Sequence, residues 1–370
     1  MEFTIQQSDF LSGLYLAAGI ADRKGTLPIL ANVLIRSEGK ERIVCAATDL
    51  TVAVRAEMPA RVRKEGAITL GARHLHDIVK GLPSADVTVS TTESNWAVIK
   101  SGKVQYKLVG LSDRDFPRLP DYREVAMTSF SAATFTEMIR RTFFAISTDE
   151  SKYHLSGALF ECDGTKAKMV ATDGHRLTKV ERPVTQGPVL QSGVLIPRKG
   201  LGEIRRALET LGGDDDTIEI GIHGGNFFVR LGDVALSVKL IDAQFPPYEM
   251  VIPKDASKKI VVPRTAFLES LRRVSLLASD RVKAVRLSLE KGVLRILSDN
   301  PDLGEATEEL DVEYDGQELT IGFNATYFTE FLAELDEDEV RLELSGDLDP
   351  AMLRSLKEPA DLGVIMPMRI

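Results

Sequence analysis

The chain has 370 residues, 44% of them hydrophobic and 27% charged, which is too long for one ordinary core and suits a soluble globular protein of two or three domains. A net charge of -9 argues against a uniformly basic nucleic-acid binder but leaves a locally basic face open, because a polyanion senses the field of one face. No basic region followed by an apolar block opens the sequence and no apolar run reaches the roughly 18 residues of a membrane span, so a cytoplasmic location without a membrane partner is expected.

Taken in order, the chain repeats itself. Gln7 to Ala21 sets Phe10, Leu11, Leu14, Ala17 and Ala18 at helical spacing; Thr134 to Ile146 and Thr265 to Ala278 carry the same pattern further on. A second type of unit, a β-like run before a short amphipathic helix, occurs at Ala67-Ile68-Thr69-Leu70 with residues 74–79, at Val194-Leu195-Ile196-Pro197 with 202–208, and at Leu319-Thr320-Ile321-Gly322 with 327–332. Val104, Tyr106 and Leu108 alternate with polar residues after Ser101-Gly102, and Val234, Leu236, Val238 and Leu240 do so after Gly232-Asp233, which predicts hairpins with one wet face. Thr48-Asp49 recurs as Thr172-Asp173 and Ser298-Asp299, 124 and 126 residues apart, and Phe116-Pro117 recurs as Phe245-Pro246.

These coincidences share one register. They divide the chain into three similar domains, 1–120, 121–253 and 254–370, joined by proline-stiffened linkers at 116–121 and 245–253. Each domain reads as α+β, with antiparallel sheets backed by two helices.

The expected chemistry is not catalytic. Cys45 and Cys162 each stand alone in strand-like segments, and His74, His76, His154, His175 and His223 lack metal-ligand spacing. No metal and no cofactor is expected. Pro197-Arg198-Lys199-Gly200 lacks the spacing of a phosphate loop and reads as a strand-to-helix turn. The densest local chemistry is Ala171-Thr172-Asp173-Gly174-His175-Arg176-Leu177, a turn between two strands with no nucleophile beside it in sequence. A hydrolase using Asp173 and His175 is therefore the third reading.

Positive charge gathers on the predicted helices. Arg198, Lys199, Arg205 and Arg206 outnumber Glu203 and Glu209, and Arg264, Arg272, Arg273, Arg281 and Lys283 outnumber Glu269 and Asp280. Residues 325–335 break the trend with Glu330 and Glu334. Acid concentrates at Asp214-Asp215-Asp216 and Asp336-Glu337-Asp338-Glu339, both placed in loops. Without aromatic interleaving or a recognition helix, any nucleic-acid contact should hold phosphates without reading bases.

The threefold register, Ala171 to Leu177, Phe245-Pro246-Pro247-Tyr248 and the ending Val364-Ile365-Met366-Pro367-Met368-Arg369-Ile370 together resemble the bacterial DNA polymerase III beta subunit family, the sliding clamps. The resemblance covers the whole chain. It implies the DNA clamp fold, two chains joined head to tail as a homodimeric ring around double-stranded DNA, and a non-enzymatic processivity role in replication. Its bore would carry Arg23, Lys24, Arg73, Lys80, Lys103, Arg198, Lys199 and Arg205, with Thr148 and Tyr153 on a DNA-contacting loop that reads Tyr153-His154 where the family often has two aromatics.

The same resemblance implies an apolar groove for short peptides of the replicative polymerase alpha subunit, the clamp loader delta subunit, other polymerases and repair proteins. Its lining would be Leu155, Thr172, Gly174, His175, Arg176, Leu177, Pro246, Val251, Asn324, Tyr327, Val364, Met366, Pro367, Met368 and Arg369. A free carboxy-terminal segment and adaptable Met side chains suit that role. Subunit contact would join the strand of Tyr106 and Leu108 to the helix near Leu276 and Leu277. The alternative is a monomeric peptide-binding scaffold of the same fold.

Overall fold

The computed structural model describes residues 1–22, 25–92, 94–213, 216–278 and 283–369. Six strands run without an intervening residue into six helices. Glu2–Gln6 enters α1 (Gln7–Ile20), Ala67–Gly71 enters α2 (Ala72–Gly81), and Thr128–Ser131 enters α3 (Ala132–Phe143). Val194–Pro197 enters α4 (Arg198–Leu211), Lys258–Pro263 enters α5 (Arg264–Val274), and Leu319–Asn324 enters α6 (Ala325–Ala333). The helical spacing of apolar residues locates all six. It overruns α3 and α5, where Ala145 and Ile146, and then Leu276, Leu277 and Ala278, donate to carbonyls three residues back. The last turn tightens to a 3₁₀ pattern and the α-helix ends.

The chain forms two compact units. Unit 1 comprises Met1–Ala133, Gln186–Pro188 and Lys199–Leu240. Its five-stranded sheet runs in the order Arg61–Lys64, Glu2–Gln6, Asp86–Thr91, Trp96–Ser101 and Val104–Val109. Its eight-stranded sheet runs Thr128–Ser131, Thr217–His223, Asn226–Leu231, Val234–Lys239, Val52–Pro59, Arg42–Thr48, Asn32–Glu38 and Ala67–Gly71. Strands of the first and second sequence repeats thus share one antiparallel ladder, with Leu236 facing Val54 and Val238 facing Val52. α1 buries Phe10, Leu14 and Ala17. α4 comes so close to the sheet at Gly200 that a Cβ there would sit 2.2 Å from a Val238 methyl.

Unit 2 comprises Thr134–Thr185, Val189–Arg198 and Ile241–Ile370. Its eight-stranded sheet runs Val194–Pro197, Gly157–Cys162, Lys166–Thr172, Arg176–Pro183, Leu362–Ile365, Ala351–Ser355, Glu339–Leu344 and Lys258–Pro263. A four-stranded sheet runs Gly304–Asp311, Val293–Asn300, Ala284–Glu290 and Leu319–Asn324. α5 and α6 meet in its core, where Phe267 and Phe328 pack edge to face at 5.9 Å.

Two expectations are corrected. Val104–Val109 was to have one wet face, but it is the last strand of its sheet and is exposed along nearly all its length. Val234–Lys239 is instead mostly buried, because strands flank it on both sides in the middle of its sheet. Residues 336–338 lie in a loop as expected, and the strand begins at Glu339; within the loop Glu337 is buried and accepts bonds from the Ser355 hydroxyl and the amides of Leu356 and Lys357, so it fixes a turn. Asp214 and Asp215 lie outside the described residues.

Candidate functional site

The Thr172–Arg176 turn is built by its own side chains. Thr172 Oγ1 donates to the Arg176 carbonyl at 2.6 Å and accepts from the Gly174 amide at 3.1 Å. Asp173 Oδ1 accepts from the amides of His175 and Arg176 at 2.9 and 3.0 Å, and Oδ2 accepts from Arg176 Nε at 3.1 Å. Gly174 takes φ of +92°, the left-handed region that favours glycine. Asp173 therefore spends its carboxylate on the turn and on Arg176, not on orienting the His175 ring. A hydrolytic Asp173–His175 pair is not what this geometry builds.

Arg176 is held on every side. Its guanidinium reaches Glu330, donates from Nη2 to the Phe144 carbonyl at 2.7 Å, and lies 4.6 Å from the Tyr327 ring centre and 5.3 Å from that of Phe144. Burial and the Asp173 charge push the Tyr327 phenol above its ordinary pKa. Leu177 and Val364 face each other across neighbouring strands and join Val170, Tyr248, Met352 and Leu362 in a buried apolar cluster that Phe245 and Leu159 flank. Tyr248 donates its hydroxyl to Glu161 Oε2 at 3.0 Å.

The carboxy-terminal segment, expected to be free, is tied down. The Met366 amide donates to the His175 carbonyl at 2.9 Å and the Met368 amide to the Gly322 carbonyl at 2.8 Å. This line runs from the Thr172–Arg176 turn to the strand that enters α6, next to Asn324, whose side chain caps that helix by accepting from the Thr326 amide at 2.9 Å. Met366 and Val251 are exposed, Pro246, Pro367 and Met368 are half-buried, His175 and Arg369 face water, and Leu155 is buried. Unit 2 thus contains every predicted groove residue. Sequence reasoning missed Lys152, which donates to the Asp173 carbonyl at 3.0 Å, along with Phe144 and Glu330. No local pattern marks a lysine whose partner is a backbone carbonyl 21 residues away.

The predicted phosphate contacts are less uniform. Arg23 and Lys24 lie outside the described residues. Arg73 and Lys80 are exposed on α2, Arg73 with a loose 3.8 Å approach to Asp77. Lys199 pairs with Asp49, and Arg205 lies 3.5 Å from Glu209. Lys103 sits in a sheet hairpin turn and not on a helix. Arg198 Nη1 donates to the carbonyls of Phe143 and Ile146 at 3.0 and 3.1 Å, closing the end of α3, and its guanidinium lies 4.4 Å from the Phe143 ring centre. Thr148 is exposed in the loop after α3, and Tyr153 is exposed at the start of a 3₁₀ helix, Tyr153–Leu155, that ends in buried Leu155. Arg206, counted in the basic excess of α4, is structural: it donates to the Leu16 carbonyl at 3.1 Å and covers the Tyr15 ring.

Comparison with known proteins matches this architecture along its length. Family models describing the N-terminal, central and C-terminal domains of the DNA polymerase III beta subunit match residues 1–120, 129–247 and 249–369. The beta sliding clamp of Pseudomonas aeruginosa is 34% identical over 377 residues, covering all of both chains.

This chain belongs to the DNA polymerase III beta subunit family.

The crystal structure of the P. aeruginosa beta subunit aligns with it at a TM-score of 0.94 and 32% identity, covering all of both chains. The sliding clamp of Bartonella birtlesii, solved bound to griselimycin, aligns at 0.92 and 35% identity with the same coverage. As a beta subunit the chain is a sliding clamp, a non-catalytic processivity subunit of DNA polymerase III with the DNA clamp fold. Among the described residues no group of three His, Cys, Asp or Glu side chains is placed to hold a metal, and no helix is long and apolar enough to cross a membrane.

Two sheets of this beta subunit end in open edge strands. Val104–Val109 ends the five-stranded sheet with Val104, Tyr106 and Val109 exposed and Lys103 and Lys107 beside them. Leu276, 76% exposed, follows α5. Gly304–Asp311, an edge strand that the sequence reading missed, presents Glu305, Glu309 and Asp311 to solvent. Its pattern lacks the apolar alternation that marks a strand.

Proposed function

We propose that this sliding clamp closes with a second copy, head to tail, into a ring around duplex DNA, and that the unit 2 groove takes short peptides of the replicative polymerase alpha subunit, the clamp loader delta subunit, other polymerases and repair proteins. The division into domains at 1–120, 121–253 and 254–370 belongs to the same reading. The observation that carries the groove is the stitched line from the Thr172–Arg176 turn through Met366 to Met368, beside the apolar cluster of Leu177 and Val364. A fixed apolar floor with Met side chains at its rim accommodates varied partners. For the ring, support comes from the exposed apolar edge strand Val104–Val109, since such an edge is a template for pairing, and from the contrast between Lys103 and Lys107 there and the carboxylates of edge strand Gly304–Asp311. Exposed Arg73 and Lys80 on α2 and Lys199 on α4 supply phosphate contacts without base reading.

Retention on circular DNA tests the ring. Protein loaded on a nicked circle should stay bound in high salt and fall off when the circle is cut; retention on the linear product would overturn topological binding. Griselimycin, present in the B. birtlesii structure, tests the groove. Truncation before Met366 should abolish its binding while the dimer persists, and unchanged affinity would refute the assignment.

A further inference from the structure

Unit 2 supplies a template for a place in unit 1. In both units the strands pair in one register: Leu34 faces Ala46 as Leu159 faces Val170, and Thr48 faces Ala53 as Thr172 faces Leu177. The strand added beyond them sets Ser237 opposite Ala53 where the other sets Val364 opposite Leu177. A Phe-Pro segment accompanies each, at 116–117 and 245–246.

In unit 2 this place is filled by Val170, Leu177, Val364 and the Tyr248 ring. In unit 1 each counterpart is smaller: Ala46, Ala53, Ser237 and, three residues after the Phe, Leu119. Close packing cannot make good that lost volume, and a cavity of about 280 Å³ opens there, lined by these four residues together with Leu34 and Phe116.

Charge inverts along with volume. Glu161, which accepts the Tyr248 hydroxyl, has Arg36 as its register counterpart, since Arg36 faces Val44 as Glu161 faces Lys168. Pro247 corresponds to Arg118. Both arginines line the cavity. Arg36 pairs with Asp113 at 3.2 Å while half exposed. Arg118 is exposed and has no ion pair or hydrogen bond among the described residues.

We propose that this cavity is a second docking pocket, which takes a peptide segment of a partner protein by one aromatic or leucyl side chain with a carboxylate next to it. The side chain replaces the volume that Tyr248 and Leu177 fill in unit 2. The carboxylate meets Arg118 and Arg36, where unit 2 pairs a hydroxyl with Glu161. The pocket lies within unit 1 and is independent of ring closure and of what the unit 2 groove binds.

The probe is acetyl-Leu-Phe with a free terminal carboxylate, titrated into full-length protein carrying labelled Leu and Val methyl groups. Shifts are expected at the methyls of Leu34, Leu119 and Leu236. The probe's carboxamide form should bind about fivefold more weakly, as should the free acid to Arg118→Glu, the scale of one partly exposed charge contact. Ala53→Leu, which copies Leu177, should remove binding, and Ser237→Val provides the same test if Ala53→Leu does not fold. Truncation before Met366 should leave these shifts intact. Silence at the three leucines, shifts confined to Leu155, Leu177 and Val364, or undiminished binding by both filled variants would each overturn the pocket.

Discussion

Leu50 and Gly174 occupy the same turn position in two copies of one motif. Thr48 and Asp49 repeat the bonds of Thr172 and Asp173: the Leu50 amide donates to Thr48 Oγ1 at 2.9 Å, and those of Thr51 and Val52 to Asp49 Oδ1 at 2.8 and 2.7 Å. Leu50 thereby adopts φ of +73°, costing about 1 kcal/mol or more for a residue with a Cβ. A glycine there would add roughly 0.5–1 kcal/mol of unfolded-chain entropy but relieve the strain. Leu50→Gly should therefore be neutral to stabilising in urea unfolding, by up to about 0.5 kcal/mol. A clear loss of stability would show that the leucyl side chain is engaged. Gly174→Ala should cost about 1 kcal/mol through φ alone, since its Cβ would meet nothing nearer than Lys152 Nζ at 3.6 Å.

Between elements, buried ions do the joining. Asp361, 1% exposed, accepts from Arg141 Nη1 and from Arg182 Nη1 and Nη2, each at 2.7 Å, tying the start of strand Leu362–Ile365 to α3 and to strand Arg176–Pro183. Asp361→Asn should cost about 3 kcal/mol or more by leaving two guanidinium groups without their buried partner, read as a fall in melting temperature. Burial alone would raise the pKa of Glu137 in this network, but the hydrogen bond and charge of Arg182, with Arg141 and Arg140, hold it below the ordinary value. A depressed folded pKa stabilises above the unfolded value and is lost as pH falls through about 4.3 and below. Glu137→Gln should flatten the loss of stability in that acid window, and an unchanged acid profile would count against the network. Arg206→Glu should destabilise unit 1, because the side chain joins α4 to α1 at Leu16 and Tyr15; Lys80→Glu on exposed α2 should weaken DNA retention without loss of melting temperature. The helices were legible because 3.6-residue spacing is local. Counting charge along α4 could not show that Arg206 is spent on a carbonyl, nor that Glu337 is turned inward. Neither the pairing of Val234–Lys239 with Val52–Pro59 nor the hollow among Ala46, Ala53 and Ser237 has a local signature, since strands about 180 residues apart meet there.

For the whole molecule, the decisive property of a head-to-tail ring is that its two contact surfaces differ, so each interface pairs one edge of a copy with the other edge of its partner. Tyr106→Glu places a charge on the exposed apolar edge Val104–Val109, and Leu276→Glu does so beside α5. Each variant alone should fall by light scattering from twice the 40.7 kDa chain mass to a monomer at micromolar concentration, and lose retention on circular DNA. Mixed together, the two variants should recover a dimer: one interface then combines both altered edges, while the other combines both intact ones. That dimer is an open chain, so it should bind DNA weakly and slide off a circle as readily as off a linear duplex. If the strands of Tyr106 paired with each other across a twofold axis, mixing would instead restore nothing, because every Tyr106→Glu copy would meet its partner through the damaged edge. Recovery of the dimer mass without recovery of circle retention therefore distinguishes a ring of unlike edges from a symmetric contact, and a Tyr106→Glu protein that stays dimeric by itself would remove Val104–Val109 from the interface.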